Sequence, residues 1–325
     1  MAQVRVAFIG AGALASRFHY PSIASLPDVE IAAVAELNPE RAKAAAEKYA
    51  IPRTYSDYKQ MLTEIDPQAV YVIMPPQYLF EPANHALKQG RAVFTEKPLG
   101  LNTAQARHLA YMAEANRCIT QVGFQRRFIP ALIELKRRVE ERGPIHTVSV
   151  NFLKPTPNMA SPAGLYDGVI DPLMCDGIHA VDNLRWLAGG EVERVSGDVR
   201  IRYVPGTSAN AVTAHVTFSS GAVGLLHFSY VTGRRIFRAE IHGQNITAYV
   251  DADKDSYIVA DGKEPEVFDS SQFGKDLGGQ DYHWLGFWHE HRSFIDSIKD
   301  GRQPSCNFSD TVKTMDLVDR IYQNR

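Results

Sequence analysis

The chain has 325 residues, of which 45% are hydrophobic, and its 35 basic and 37 acidic side chains leave a formal net charge of −2 at pH 7. A chain of this length exceeds the size that one hydrophobic core usually serves, so we expect two domains. The balance of charge, with no cluster of Lys and Arg, argues against nucleic acid or an anionic membrane as a partner and favours a small polar ligand.

The cysteines and the hydropathy of the chain indicate the cellular compartment in which the protein is found. The three cysteines, Cys118, Cys175 and Cys306, are odd in number and far apart, so they form neither a disulfide framework nor a CxxC metal motif. The chain begins on an apolar run rather than a charged leader, and no apolar run approaches the roughly 18 residues of a membrane span. We therefore expect a cytoplasmic protein in a reducing compartment.

The first 123 residues alternate short apolar runs with helical patterns. The apolar runs lie at 4–10, 30–36, 69–75, 92–96 and 118–124. Because these runs do not alternate with polar residues, they are typical of buried parallel strands. Asn38 and Asn102 are placed to cap the starts of helices between them, and Gly90 to end one. This order predicts an N-terminal α/β domain, a Rossmann doubly wound parallel sheet, in residues 1–123.

From residue 124 onward the pattern changes to alternating apolar and polar residues, which is typical of strands with one solvated face. The alternating runs lie at 146–154, 192–204, 210–218, 222–231, 238–243, 246–252 and 256–262. Ser220-Gly221 predicts a hairpin turn. Residues 155–172, which contain several prolines, are predicted to form a loop that covers a ligand. Helical patterns close the chain, the last with Ser309 as its cap. Residues 124–325 are therefore predicted to form an α+β domain with an open, mainly antiparallel sheet, and its closing helices can pack back on the first domain.

The run GAGALA directly follows the first predicted strand and opens a helix. In a dinucleotide site the first glycine, Gly10, allows a tight turn, and Gly12 lets the backbone approach the pyrophosphate. Ala15 replaces the third glycine of the usual motif. The phosphates would then lie at the start of the helix, at Ala13 and Leu14, where free N–H groups and the helix dipole favour an anion.

Glu36 ends the second predicted strand, where its carboxylate can accept hydrogen bonds from both hydroxyls of a ribose. The same carboxylate would repel a 2′-phosphate, so NAD is favoured over NADP. The alternative is a glycine turn in an α/β fold that binds no nucleotide. Together, the strand, the spacing and the acid favour the NAD site.

The motif that suggests a family is Glu96-Lys97-Pro98, which ends the fourth predicted strand. Taken with GAGALA, Glu36, the MPPQ run at 74–77 and the run GIHAVDNLRWLAGG, it makes the chain similar to the Gfo/Idh/MocA family of sugar and inositol oxidoreductases over nearly its whole length. The resemblance implies a Rossmann domain, then an α/β domain whose open sheet forms homodimers or homotetramers. It also implies an active site between the domains.

The resemblance assigns roles to individual residues. It implies that Lys97 contacts the nicotinamide ribose and a substrate hydroxyl and that His179 is the acid/base. It also places three further residues beside the cofactor, namely Pro75, Gln77 and Glu96. The chain departs from the family where Cys175 replaces the usual aspartate four residues before the histidine, and where Met74 and Leu79 replace a threonine and a histidine.

The residue types around His179 suit alcohol oxidation. A base must take the hydroxyl proton as hydride leaves, and histidine does this near neutral pH. The cation of Lys97 would stabilise the developing alkoxide. Asp176 or Asp171 could orient the imidazole, a task that the thiol of Cys175 cannot perform. The alternative is an ordinary histidine on an amphipathic helix with an acid beside it.

No metal site is predicted. Cys175, Asp176 and His179 are suitable metal ligands by type, but Cys175 and Asp176 are adjacent on a helix and would point roughly 100° apart, which argues against a shared ion. The run HEH at 289–291 superficially resembles a zinc motif, but histidines two apart lie on different helix faces.

Further candidates for substrate contacts are weaker. Arg126 and Arg127 stand where a family motif often places an arginine of the substrate cleft, and Lys154 ends a strand where it can reach a sugar hydroxyl. Aromatic and polar side chains suited to a polyol are Tyr166, Asp167, Tyr282, His283 and Trp284. For each of them surface charge or ordinary packing is the alternative interpretation.

The sequence therefore predicts an NAD-dependent oxidoreductase that transfers hydride between nicotinamide and a hydroxyl-bearing carbon of a sugar or cyclic polyol. Three alternatives stay open. The first is a reductase of a keto sugar, aldehyde or imine. The second is an enzyme that keeps NAD bound and oxidises its substrate transiently, as a glycosidase or epimerase-like enzyme. The third is a non-catalytic regulator that binds NAD.

Overall fold

A computed structural model describes residues 3–155, 168–203, 208–251 and 255–324. The chain divides into two compact units. We call Met1–Phe124 with Phe287–Val312 the first unit, and Gln125–Gly286 with Lys313–Arg325 the second unit. The boundary predicted after residue 123 lies one residue before the end of the first segment, and the structure adds Phe287–Val312 to the first unit.

The strands follow the predicted runs closely. They are β1 Val4–Ile9, β2 Val29–Ala35, β3 Thr54–Tyr55, β4 Ala69–Val72, β5 Ala92–Thr95, β6 Thr120–Val122, β7 Thr147–Leu153, β8 Val192–Arg200, β9 Ala211–Phe218, β10 Val223–Ser229, β11 Ile236–Gly243, β12 Ile246–Asp251, β13 Asp255–Ala260 and β14 Glu266–Asp269. The short strands β3 and β14 have no counterpart among the predicted runs.

The helices include two π-helical turns. The α-helices are α1 Tyr20–Ala24, α2 Pro39–Tyr49, α3 Tyr58–Ile65, α4 Pro76–Lys88, α5 Thr103–Ala115, α6 Pro130–Glu140, α7 Ile178–Ala188, α8 Asp281–Trp284, α9 Phe287–Asp300 and α10 Phe308–Gln323. The π-helical turns, Ala15–His19 and Leu173–Gly177, lead directly into α1 and α7. Among the described residues, no helix has the length and apolar character needed to cross a membrane.

The first unit is a parallel sheet in the order β3-β2-β1-β4-β5-β6. The chain winds outward from β1 in both directions, so β1 and β4 meet at the point where the strand order reverses. In such sheets ligands bind at the carboxyl ends of the strands near that point. The predicted Rossmann architecture is confirmed, and the edge that would bind a dinucleotide is the one where β1, β2, β4 and β5 end.

A stack of aromatic rings fills the core of the first unit. Phe8 stacks on Tyr20 and on Tyr71 with ring centroids 4.3 and 4.8 Å apart, and Tyr71 stacks on Phe94 at 5.0 Å. Each such pair contributes about 0.5–1.5 kcal/mol beyond the burial of its area. Phe294 of α9 is fully buried and meets Tyr71 edge-on, so α9 belongs to this core although it lies late in the sequence.

The second unit is an open sheet in the order β14-β13-β12-β11-β7-β10-β9-β8. All neighbouring strands are antiparallel except β7 and β10, which are parallel. Helices α6 and α7 cover one face. A Cβ added to Gly224 of β10 would lie 3.0 Å from the side chain of Leu184, which shows how closely α7 approaches the sheet. The predicted α+β domain with a mainly antiparallel sheet is confirmed.

Local sequence signals predicted the starts of two helices and the position of one hairpin turn. The side chain of Asn38 accepts the N–H groups of Glu40 and Arg41, and that of Asn102 accepts the N–H of Gln105, as predicted. The hairpin turn predicted at Ser220-Gly221 joins β9 to β10.

The cap of the last helix is different from the one predicted. Helix α10 begins at Phe308, and Asn307 Oδ1 accepts the N–H of Asp310 at 3.0 Å. Ser309, the predicted cap, lies inside the helix because an asparagine two residues earlier takes the capping position.

Candidate active site

The glycine turn after β1 has the geometry that a dinucleotide needs. Gly10 has φ of 107°, and a Cβ added there would lie 2.2 Å from the carbonyl oxygen of Ile73. An added Cβ on Gly12 would meet nothing within 4 Å, so the backbone of Gly12 borders open space at the point where a pyrophosphate must approach. Ala13 and Leu14 follow at the start of the helix. These residues fit the group that the sequence predicts.

Glu36 lies against the same turn. Its Oε2 accepts the N–H of Ala11 at 2.7 Å, and its Oε1 accepts the N–H of Asn38 at 2.9 Å. Below the turn, Tyr20 donates its hydroxyl hydrogen to the carbonyl of Gly10 at 3.1 Å. Burial, helped by the charge of Glu36, raises the pKa of Tyr20 well above its ordinary value, so this donor stays protonated.

The Glu96-Lys97-Pro98 motif follows β5 at the same edge of the sheet. Glu96 is buried, and its Oε2 accepts the N–H of Lys97 at 3.2 Å. A Cβ added to Gly123 would lie 2.7 Å from the Glu96 carboxylate, so any larger residue there would require that carboxylate to shift. The other predicted cofactor residues are at the end of β4, where Pro75 is exposed and Gln77 is half-buried in the first turn of α4.

In the second unit, His179 lies in the first turn of α7 and is 5% exposed. The π-helical turn just before it changes the spacing on which the prediction for Asp176 was based. A π turn closes i→i+5 hydrogen bonds, so successive side chains rotate less than on an α-helix. A Cβ added to Gly177 would lie 2.6 Å from the ring of Phe228, so glycine lets this turn approach β10.

Asp176 lies in a polar cluster that the sequence did not predict as a whole. Its Oδ2 accepts hydrogen bonds from Lys154 Nζ and from the hydroxyl of Tyr230. Lys154 follows β7, and Tyr230 follows β10, its parallel neighbour, which brings the two together. Tyr230 was missed because only the unpredicted parallel pairing of these strands places it there. The orientation of His179 by Asp176 stays a prediction.

Arg127 has a structural partner. Its Nε lies 2.6 Å from Asp182 Oδ2, and the hydroxyl of Thr314 donates to Asp182 Oδ1 at 2.9 Å. Arg185 Nε in turn donates to that hydroxyl at 3.1 Å. All of these side chains are buried. The ion pair accounts for the position of Arg127, and its predicted contact with substrate stays a prediction. Arg126 lies over the ring of Phe237 at 3.8 Å.

Three further candidates, Asp171, Cys175 and His283, lie in the described part of the second unit. Asp171 Oδ1 accepts the N–H of Leu173 at 2.8 Å, and burial raises the pKa of this carboxyl. Cys175 is buried. His283 is buried too, and its Nδ1 accepts the N–H of Gln280 at 3.2 Å, which caps α8. Tyr166, Asp167 and most of the loop predicted at 155–172 lie outside the described residues.

Comparison with known families matches both parts of the chain. Residues 4–124 match the Gfo/Idh/MocA family, described as an oxidoreductase family with an NAD-binding Rossmann fold. Residues 134–249 match the Gfo/Idh/MocA C-terminal domain.

Several characterised proteins are similar to this chain. The scyllo-inositol 2-dehydrogenase (NAD(+)) of Bacillus subtilis is 28% identical over 256 residues, which cover 76% of this chain and 74% of the relative. The myo-inositol 2-dehydrogenase of Thermotoga maritima is 24% identical over 318 residues, 94% of this chain and 92% of the relative. The structure of a levoglucosan dehydrogenase with NADH and levoglucosan has the same fold, with a TM-score of 0.86 at 20% identity over 99% of this chain and 97% of the other.

Proposed function

Because the chain belongs to the Gfo/Idh/MocA family of oxidoreductases, with an NAD-binding Rossmann domain, we propose that it oxidises a hydroxyl-bearing carbon of a sugar or cyclic polyol with NAD. The observation that carries this proposal is the glycine turn, where Gly12 borders open space and Glu36 lies 2.7 Å from the neighbouring N–H. NAD, when bound, supplies the acceptor for the hydride.

The first unit would hold the cofactor through its sheet edge. The N–H groups after Gly12 would bind the pyrophosphate, and Glu36 would exchange its hydrogen bond to Ala11 for ribose hydroxyls. A 2′-phosphate at this place would meet a carboxylate, which is the physical reason to propose NAD rather than NADP. Lys97, carried by the backbone beside Glu96, would contribute positive charge to the developing alkoxide.

The second unit would provide the acid/base and the substrate contacts. His179 would take the hydroxyl proton on a ring nitrogen as hydride leaves, a step that typically contributes about 10²–10⁴ in rate. Asp176, held by Lys154 and Tyr230, offers a carboxylate that can accept sugar hydroxyls. The inositol dehydrogenases among the relatives support a polyhydroxylated ring as the substrate class.

The experiment that tests the proposal combines binding and turnover. The full chain is titrated with NADH and NADPH by fluorescence, and then screened for NADH formation against inositols, glucosides and anhydrosugars, and for NADH consumption against keto sugars. We expect tighter binding of NADH and turnover of at least one cyclic polyol or sugar. Tighter binding of NADPH would contradict the role of Glu36, and binding without turnover on any member would favour the non-catalytic regulator.

Assembly is a separate point. The resemblance predicts a homodimer or homotetramer formed through the open sheet of the second unit. Size-exclusion chromatography with light scattering on the full chain tests it, and a monomer at micromolar concentration would contradict it.

A further inference from the structure

A buried group of ionisable side chains in the first unit has no part in the proposed hydride transfer. It consists of His19, in the π-helical turn before α1, and Glu290 and His291, in α9. All three residues are 0% exposed. One ligand atom from each, two imidazole nitrogens and a carboxylate oxygen, lie within 4.8 Å of one another. We call these three residues the His-Glu-His cluster.

The cluster contains bonding capacity that the protein does not use. Both carboxylate oxygens of Glu290 are buried without a hydrogen-bond partner among the described residues. Native proteins rarely leave a fully buried carboxylate in this state, because the lost hydration is not replaced. Both carboxylate oxygens of Glu290 are therefore available to a bound cation.

The two histidines face each other through ring nitrogens. His19 Nδ1 and His291 Nε2 share a hydrogen bond of 3.0 Å, which a metal ion between them would replace. Burial, and after it the neighbouring His19, lowers the pKa of His291 well below its ordinary value. Neutral imidazole is the form that binds metal ions. Nitrogens bound to one zinc at about 2.0–2.1 Å lie roughly 3.0–3.4 Å apart, so the observed separation already suits a shared ion.

Glu96 fixes the direction in which His19 offers its lone pair. Its Oε1 lies 3.0 Å from His19 Nε2, on the side of the ring away from His291. A carboxylate this close to one ring nitrogen favours a proton on that nitrogen, which leaves the lone pair of the other nitrogen for a metal. This pairing of carboxylate and histidine recurs at protein metal sites. It orients the ring and increases the basicity of Nδ1.

We propose that His19, Glu290 and His291 bind one divalent transition-metal ion of the zinc type, with Glu96 orienting His19. Two imidazoles and one carboxylate form a mixed nitrogen and oxygen set, which suits zinc or cobalt better than magnesium or calcium, both of which prefer oxygen. A divalent charge also balances the two nearby carboxylates. Because the site is fully buried, its ion ties α9 to the segment before α1.

This arrangement is different from the zinc motif that the run HEH superficially suggests. The two histidines of that run, His289 and His291, lie two positions apart, and the sequence does not predict that they share an ion. The second nitrogen ligand comes instead from His19, which is 272 positions from His291. The site therefore joins the two ends of the chain that build the first unit.

The test uses metal content and cobalt spectroscopy on the full chain. The protein is purified from zinc-supplemented medium, its metal is measured by elemental mass spectrometry, and chelator-treated protein is titrated with Co²⁺. We expect one metal ion per chain, visible d–d absorption on cobalt binding, and loss of that absorption when Zn²⁺ is added. Glu290→Gln and His291→Gln, which keep side-chain volume, should each weaken cobalt binding at least about tenfold.

Two control variants separate this site from other histidines. His289→Gln changes the same helix outside the cluster. His242→Gln removes one ring of the His146 and His242 pair in the second unit, whose ring centroids lie 6.3 Å apart. Both should keep cobalt affinity within about twofold of the unmodified chain. Loss of binding in His242→Gln would overturn the proposal.

Further outcomes also decide the matter. Failure of the unmodified chain to bind cobalt or zinc at millimolar concentration would overturn the proposal, as would binding that survives in both ligand variants. Should the ligand variants fail to fold, X-ray absorption on the zinc-loaded unmodified chain replaces them. Two imidazole ligands with oxygen would support the site, and sulfur ligands would overturn it. None of these measurements depends on turnover, so they are independent of the proposed activity.

Discussion

In the second unit, Asp182 is fully buried and both of its carboxylate oxygens accept hydrogen bonds, from Arg127 and Thr314. In the first unit, Glu290 is equally buried, and neither of its oxygens has a partner among the described residues. A buried charge that is fully paired needs nothing further, whereas one without partners requires a proton or a ligand. Asp182 therefore stabilises the fold through its own partners, whereas Glu290 is a residue that we propose binds a metal ion.

The largest effect should come from His179, which lies three residues before Asp182 on α7. His179→Gln should lower kcat by about 10²–10⁴, because a general base of this kind supplies about that factor. Affinity for NADH and the unfolding midpoint should stay unchanged, since the proposed role concerns only substrate. Steady-state kinetics, NADH titration and thermal unfolding check these three expectations. Turnover comparable to that of the unmodified enzyme would sink the acid/base assignment.

The second effect concerns the buried ion pair of Arg127 and Asp182. Arg127→Met should lower the free energy of unfolding by about 3–5 kcal/mol, because it leaves the buried charge of Asp182 uncompensated. Urea denaturation followed by circular dichroism measures the loss. Arg137→Met, which removes the exposed ion pairs of Arg137 with Glu134 and Glu141, serves as the matched control and should change the midpoint far less.

Glu290→Gln in chelator gives the other side of the comparison. Since Glu290 has no hydrogen bonds to lose among the described residues, this variant should be destabilised by less than about 1 kcal/mol. A loss as large as that of Arg127→Met would mean that Glu290 is paired in solution, and the contrast between the two units would fail.

A third prediction concerns Glu36. Glu36→Gln should weaken NADH binding by about tenfold, roughly 1.4 kcal/mol, and leave NADPH binding equal or stronger, because the amide no longer repels a 2′-phosphate. Fluorescence titration with both nucleotides measures the ratio of the two affinities. An unchanged ratio would show that this carboxylate does not select the cofactor.

The smallest effect concerns a partly exposed ion pair in the first unit. Asp28 accepts hydrogen bonds from Arg292 at 2.8 Å and from Lys299. The bond from Arg292, and after it that from Lys299, lowers the pKa of Asp28 well below its ordinary value, against an opposing effect of burial. A lowered folded-state pKa stabilises the fold above the unfolded pKa of about 3.9, and this contribution is lost as pH falls.

Asp28→Asn should therefore cost less than about 1 kcal/mol near pH 7, and the cost should shrink at about pH 3. Thermal unfolding of both proteins at the two pH values provides the measurement. A cost that grows on acidification would contradict the sign of the argument. The result also allows the contribution of this partly exposed pair to the free energy of unfolding to be compared with that of the buried pair of Arg127 and Asp182.

Sequence reasoning succeeded where the signal is local. Gly10 and Gly12 follow a strand directly, and their geometry depends on the few residues around them. The same holds for Asn38 and Asn102, since a helix cap is decided within one turn. The parallel and antiparallel sheets were predictable because each strand carries its own pattern of burial.

The features that the sequence did not predict depend mainly on contacts between segments that are far apart in the chain. Tyr230 reaches Asp176 only because β7 and β10 pair in parallel, which no local pattern indicates. The π-helical turn before His179 was also unpredicted, so the expected spacing between that histidine and Asp176 did not apply. The His-Glu-His cluster was not predicted for the same reason, since His19 lies 272 positions from His291.

Because Phe287–Val312 belongs to the first unit, this unit cannot be completed until late in synthesis. On the ribosome, the aromatic stack of Phe8, Tyr71 and Phe94 leaves the exit tunnel long before Phe294 is synthesised. About 160 residues separate the two segments, which at about 5–20 residues per second takes roughly 8–30 seconds. During that interval the apolar surface that α9 covers in the folded protein is exposed. We therefore expect a chaperone to bind the nascent chain mainly at this stage of synthesis.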